Sequence, residues 1–468
     1  MPSGRVPRLV KSVVPVVKSN SFQSLLVFGL KSLGGLSGYL LFALVARKSG
    51  EEQFGNFSIV FSAAMMAGFA GSFGQQVFLV KEIASAQHRR DAASEMKAYT
   101  YSAVSTGFGA LTASAVFYFT ISVLPVKSDQ VTAVGGAILT FAFAASQTTL
   151  GALRIQEKTI IAVATRDLLW RVLAAGTIAS IAHITPGNRI SSAVALSSMA
   201  VTLLVIVALH VSIIVRSFPG RLRLPGIPLF WHWFKMSLGL TLVAVISSAD
   251  LYVFSIALGR LLPTPEVGAF FAAMKTVEVI NLLLMAVALV TGPRLAREIA
   301  AGNSRSAQAV CNAAIVVQGV PAAVACGAVI AAAPQLLGVF DQGFVEYSNV
   351  LRVLTIGVLI NAFAGPTVLM LQLLNLHWRQ VLLQGGSLVG ALALLPTLTT
   401  NFGLVGAAYA FVVSKTAWNA AAVLASRSKL GVDPSCLGLL GSGALSLRES
   451  ANDIYNRLKG IIIDKSKV

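Results

Sequence analysis

The sequence predicts an all-α polytopic membrane protein of about twelve transmembrane helices in two six-helix lobes. Three observations carry that prediction: a dozen apolar runs, basic residues gathered in alternate gaps between them, and a repeat spaced by almost half the chain. The runs cover 22–46, 56–80, 99–124, 131–152, 159–182, 190–215, 236–258, 267–291, 309–333, 350–374, 380–400 and 404–425. Each is close to the ~20 residues needed to span a hydrocarbon layer of ~30 Å. Composition agrees. With 56% hydrophobic and 12% charged residues and a mean hydropathy of +0.77, a soluble domain would carry more apolar surface than it could bury.

Sorting the 36 Lys and Arg by gap puts 25 on the side of the N-terminus, six on the other side and five inside the runs. Retained positive charge marks cytoplasmic loops, so the split predicts an even number of spans with both termini cytoplasmic. The net charge of +18 then faces anionic headgroups from short loops, and no compact basic module for nucleic acid is present. The first run is too long for a cleaved signal peptide and ends in Arg47-Lys48. Cys311, Cys326 and Cys436 form no disulfide framework, and packing is their expected role.

Two landmarks recur in order. Gln53-Phe54-Gly55-Asn56-Phe57 before the second run matches Glu266-Val267-Gly268-Ala269-Phe270 before the eighth. Lys81-Glu82-Ile83-Ala84 after the second matches Arg297-Glu298-Ile299-Ala300 after the eighth. Paired matches at corresponding positions indicate duplication. Six spans per repeat make the repeats parallel, related by a pseudo-two-fold axis along the membrane normal. The organisation is therefore a basic N-terminal segment (1–21), an N-terminal lobe (22–216), a cytoplasmic Pro-rich linker (217–235), a C-terminal lobe (236–426) and a cytoplasmic tail (427–468). In the tail, Ser446-Leu447-Arg448-Glu449 has capping-box spacing before a short amphipathic helix through Ile454, Leu458 and Ile461.

Ionisable groups inside spans cost about 2.5–3.5 kcal/mol at mid-helix, so they face water or a partner. Here they are Lys31, Arg166, Asp167, Arg171, Asp250, Lys275, Glu278 and Lys415. Asp167 with Arg171 (i, i+4) and Lys275 with Glu278 (i, i+3) have the spacing of internal ion pairs, while Arg166 and Arg171 also lie where they could snorkel. Lys31 and Lys415 lack a local partner. Lys31 stands among Gly29, Gly34, Gly35 and Gly38, which let helices approach or line a groove. The excess of buried cations predicts an anionic, phosphate-bearing cargo held by Lys31, Arg166, Arg171, Lys275 and Lys415. Asp250 and Glu278 are the ion-coupling candidates, Asp250 for protons or sodium, with a salt bridge to a lysine of the other lobe as its alternative role.

Enzyme chemistry finds little support. There is no Walker-type phosphate loop. The five histidines are scattered without metal spacing and are expected at surfaces or interfaces. No metal or cofactor is expected.

Ala46-Arg47 leading to Glu52-Gln53-Phe54-Gly55, the later Val267-Gly268-Ala269-Phe270, Gly292-Pro293-Arg294-Leu295-Ala296 and Phe402-Gly403-Leu404-Val405-Gly406-Ala407-Ala408 occur in order between about residues 22 and 430. In this set the chain resembles the polysaccharide transporter branch of the multidrug/oligosaccharidyl-lipid/polysaccharide (MOP) exporter superfamily, which includes Wzx-type flippases. The resemblance implies a MATE-like fold around a central cavity. It also implies alternating-access movement of undecaprenyl-diphosphate-linked oligosaccharide (O-antigen, capsule or exopolysaccharide units) from the inner to the outer leaflet of the bacterial cytoplasmic membrane. Membrane lipids and glycan polymerase or chain-length machinery are the implied partners. No family motif assigns the cargo site, so the cationic residues above remain a reading of this chain alone. Two rival readings stand: a cation-coupled multidrug exporter of the same superfamily, and a non-transporting partner of a glycan polymerase.

Overall fold

The computed structural model describes residues 21–123, 129–217 and 223–441. The basic segment before residue 21 and the tail helix expected at Ser446–Ile461 lie outside the described residues. Among the described residues every regular element is helical. We number the helices by membrane crossing: α1 (Ser21–Ser49), α2 (Glu51–Gly71 and Gln75–His88), α3 (Ala92–Val123), α4 (Gln130–Ile155), α5 (Thr159–Val163, Ala164–Leu169 and Trp170–Ile184) and α6 (Ser192–Arg216). The second half adds α7 (Ile227–Leu258), α8 (Thr264–Ala300), α9 (Ser304–Ala331) and α10 (Ser348–Phe363, extended by Thr367–Leu373). Last come α11 (377–402) and α12 (404–430), the two arms of one 54-residue helical stretch.

Among the described residues, eleven helices are long and apolar enough to cross a membrane. The eleventh, His377–Leu430, supplies two crossings. It breaks at Gly403, whose φ of 56° and ψ of −143° are closed to most side chains. Gly406 then lies against the Leu398 carbonyl, so the arms fold back as a hairpin. All twelve predicted runs thus correspond to crossings.

Boundary differences have local causes. α7 begins at Ile227, nine residues before the apolar run, because Pro228 occupies its first turn, where a missing N–H costs nothing. The early half of α7 packs on the first half of the chain, with Trp233 against Phe78 and Tyr101. Ser237 bonds Gln75 and Tyr101. Its later half packs on α11 and α12 through Ile246 and Phe254.

The duplicated landmarks meet. Gly55 and Gly268 touch where α2 and α8 cross, and a Cβ built on Gly55 would stand 2.0 Å from the Thr264 carbonyl oxygen. Glycine at both copies of the motif permits this backbone contact. Around the crossing, Phe271 of α8 packs edge-on against Phe42, Phe54 and Phe61 of the first half. Phe54 also reaches Phe340 and Phe344. Apolar burial gives little drive inside lipid, so such packing supplies the adhesion, each aromatic pair adding ~0.5–1.5 kcal/mol. Polar ties lie on the same end: Arg47 Nε donates to the Val339 carbonyl at 2.6 Å, and the Tyr39 hydroxyl to that of Leu336 at 3.1 Å. The seam between the halves is therefore closed at the end carrying residues 47–55 and 259–268.

Candidate functional site

Behind that seam lies a cavity of about 340 Å³, walled by α1, α2, α4, α5 and α6 from the first half and α7 and α8 from the second. Lys31, Arg166, Arg171, Lys275 and Glu278, all singled out from sequence, line it together with Asp167. Lys415 and Asp250 do not. They line a separate cavity of about 40 Å³ with Asn281 and Asn361, and Glu278 stands in the wall of both cavities.

The α1 glycines position the basic groups. A Cβ on Gly34 would lie 2.5 Å from the Asp167 carbonyl oxygen and one on Gly38 would lie 3.1 Å from the Arg171 Nε, so α1 can seat directly on α5. Arg171 then donates to the carbonyls of Gly34 and Asp167, both at 2.7 Å. Residues Ala164–Leu169 of α5 form a π-helical turn, a local widening of the helix. His210, fully buried, secures the turn: its two ring nitrogens bond Thr149 at 3.1 Å and Thr165 at 2.6 Å. The sequence placed it at a surface or interface. Its burial is tolerable because both nitrogens are satisfied.

The π turn also changes the ion pairing. The Asp167 carboxylate pairs with Arg166 at 3.1 Å, while Arg171 takes only the Asp167 main-chain oxygen. The i, i+4 pair expected from straight-helix spacing is thus replaced by a neighbouring one. Both arginines line the cavity, where snorkelling to the interface was the alternative. Lys275 pairs with Glu278 at 2.8 Å, as its spacing suggested, and is only 6% exposed. Its Nζ lies 5.0 Å from the ring centroids of Tyr252 and Phe271 and 5.4 Å from that of Phe42, a cation–π cage shared between the halves. That cage was not visible in the sequence, since its rings come from three helices.

Lys31 forms no ion pair or hydrogen bond among the described residues and is half-buried. The cavity therefore holds four cationic side chains against two carboxylates, leaving two positive charges in excess. Arg166 lies 5.3 Å over the Phe143 ring and Arg171 5.9 Å over that of Trp170, so the charged groups are backed by aromatic faces. Chemically, this is a basic pocket with aromatic and apolar walls and two positive charges in excess. Among the described residues no group of three or more His, Cys, Asp or Glu is placed to hold a metal ion.

A family model described as "Polysaccharide biosynthesis protein" matches residues 23–298. No curated protein matches the sequence significantly. Among solved structures, an inward-facing multidrug resistance MATE family transporter of the MOP superfamily is 16% identical, with 87% of this chain and 98% of that one covered, and a TM-score of 0.69. An outward-facing conformation of such a transporter has a TM-score of 0.57 at 15% identity, with 88% and 95% covered. A MOP superfamily transporter from Pyrococcus furiosus, for which a binding pocket of reverse polarity suggests a different function, also scores 0.57 at 15% identity, with 87% and 95% covered. These likenesses establish the fold.

Proposed function

The chain belongs to the polysaccharide biosynthesis protein family and has the fold of the MOP transporters, and from that premise we propose that it flips a diphosphate-linked oligosaccharide on a polyprenyl anchor. The direction is from the cytoplasmic to the outer leaflet of the bacterial inner membrane, with both termini cytoplasmic. The observation that carries the reading is the charge of the cavity: two unbalanced cations, matching the two charges of a diphosphate.

The barrier to crossing lies in the headgroup. Phosphate charges and sugar hydroxyls have no partners in hydrocarbon. Lys31 and Arg166 offer charge-assisted donors to the diphosphate, Arg171 adds positive potential from α5, and the rings of Phe143, Trp170 and Tyr252 receive the sugar. The anchor stays in lipid. Lys275 and Glu278 act as a switchable pair: with the cavity empty, the Glu278 carboxylate takes the place of cargo on Lys275, so the deepest of the four cations is not left unpaired when the empty carrier returns. With the N-terminus cytoplasmic, the closed Gly55–Gly268 seam would lie on the outer side, which supports loading from within. If the headgroup crosses as an uncompensated dianion, an inside-negative potential favours export by roughly 4.6 kcal/mol per 100 mV, at ~2.3 per charge.

Aromatic walls would also suit cationic drugs. The excess positive charge opposes them, which ranks the multidrug reading second. Deleting the gene tests the choice: lipid-linked saccharide should accumulate on the inner leaflet while surface glycan is lost, with drug sensitivity unchanged. Normal surface glycan in the deletion strain refutes the assignment.

A further inference from the structure

We propose that the Lys415 ammonium is a tethered stand-in for a free monovalent cation: the native chain works without sodium, and removing the ammonium turns the Asp250 pocket into a sodium site. The sequence singled out Asp250 for proton or sodium coupling because a buried carboxylate could exchange a proton, with a lysine of the other lobe as its alternative partner. In the structure the partner is a lysine of the same lobe, on the helix hairpin that packs against α7. Asp250, 8% exposed on α7, accepts from Lys415 Nζ of α12 at 2.6 Å and from Gln384 Nε2 of α11 at 3.3 Å, both on Oδ2. Lys415 Nζ also lies 5.3 Å over the Phe411 ring, which favours a fixed positive charge there.

The surroundings suit a small hard cation once the ammonium is gone. The adjoining cavity of about 40 Å³ brings Asn281 and Glu278 of α8 and Asn361 of α10 to the same space as Asp250. That volume exceeds the ~15 Å³ one water needs. The groups present are carboxylates and amide carbonyls, the oxygen ligands that hard cations take. Asn361 is already held, accepting from Asn419 Nδ2 at 3.2 Å. The local charge is balanced in the native chain, since Glu278 is paired with Lys275 and Asp250 with Lys415. A second cation would meet the ammonium at contact distance and leave the pocket net positive. Deleting the ammonium leaves one uncompensated carboxylate, and one monovalent cation restores neutrality.

The inference deepens the transport reading by naming what does not drive it, and its test needs no cargo. Full-length purified protein is melted in sodium chloride and in choline chloride of equal ionic strength. Wild type should melt within about 1 °C in the two salts, whereas Lys415→Ala and Lys415→Met should each melt higher in sodium by about 2 °C or more. Adding Asp250→Asn to Lys415→Ala should abolish the difference. A sodium response in wild type overturns the proposal. So does its absence from both single variants, failure to fold in either salt counting as absence, or its persistence in the double variant. A protein that flips no saccharide would leave these melting results standing, so the two readings fail separately.

Discussion

Replacing Lys31 by alanine isolates the cavity charge better than any other change. Removing Arg166 or Lys275 also strands a carboxylate, Asp167 or Glu278, and mixes a folding cost into the result. Lys31 has no such partner among the described residues, so its removal should shift the melting temperature by no more than about 1 °C. Its contribution to cargo is one charge-assisted contact, ~1.5–3 kcal/mol. A Coulomb estimate at 4 Å with an effective dielectric of 20 gives about 4 kcal/mol as an upper figure, which water in the cavity reduces. We take ~2 kcal/mol, a roughly 30-fold weaker affinity at 1.4 kcal/mol per decade. The assay is binding of a polyprenyl-diphosphate saccharide to purified protein, alongside Lys31→Arg, which keeps the charge and should stay within about threefold of wild type. Wild-type affinity in a folded Lys31→Ala protein would remove Lys31 from the site and with it half of the excess charge on which the assignment rests.

Lys275→Ala should lower stability by about 3 kcal/mol, because it leaves Glu278 unpaired in the cavity wall. The double variant with Glu278→Gln should recover much of that loss, and thermal melting of the two reads the difference. Gly55→Ala places a methyl 2.0 Å from the Thr264 carbonyl oxygen, where ordinary contact begins near 3.4 Å. The α2–α8 crossing must then part by roughly 1 Å. Spin labels across the seam should show a population shift toward the separated state, and an unchanged distance distribution would deny the crossing its closing role. Outside the spans, burial works against ionisation of Asp433, but the Arg427 guanidinium and two Ser435 donors outweigh it and hold the carboxyl below its ordinary 3.8. A depressed native pKa stabilises the fold above the ordinary value, and that contribution is lost as pH falls from there through the group's own lower value. Wild type should therefore lose melting temperature below about pH 4 more steeply than Asp433→Asn, whose curve lacks this component.

The crossings were legible because hydropathy acts locally, and each predicted run has a helix. The repeated landmarks were legible as well: the Gly55 and Gly268 motifs mark a place where the two halves touch backbone to backbone. What the sequence hid depends on contacts between distant residues or on departures from straight-helix geometry. Nothing near Asp250 announces that its cation is Lys415, 165 residues on. Regular spacing tied Asp167 to Arg171, and the π turn at Ala164–Leu169 gave the carboxylate to Arg166 instead. His210 looked ordinary because its two threonine partners lie on α4 and α5. The five cations were found as a set by the cost of burying charge, but that cost is the same for a cavity as for a paired site, so Lys415 was grouped with residues it does not meet.

The most direct test of a basic, two-charge carrier is transfer by the purified protein in liposomes of a fluorescent saccharide linked through diphosphate to a polyprenol. Transfer should accelerate when the headgroup's starting side is made electrically negative, and should be slower when the same sugar is joined through a monophosphate. Equal rates for both linkages, or no transfer of either while a cationic dye is moved, would contradict a two-charge carrier.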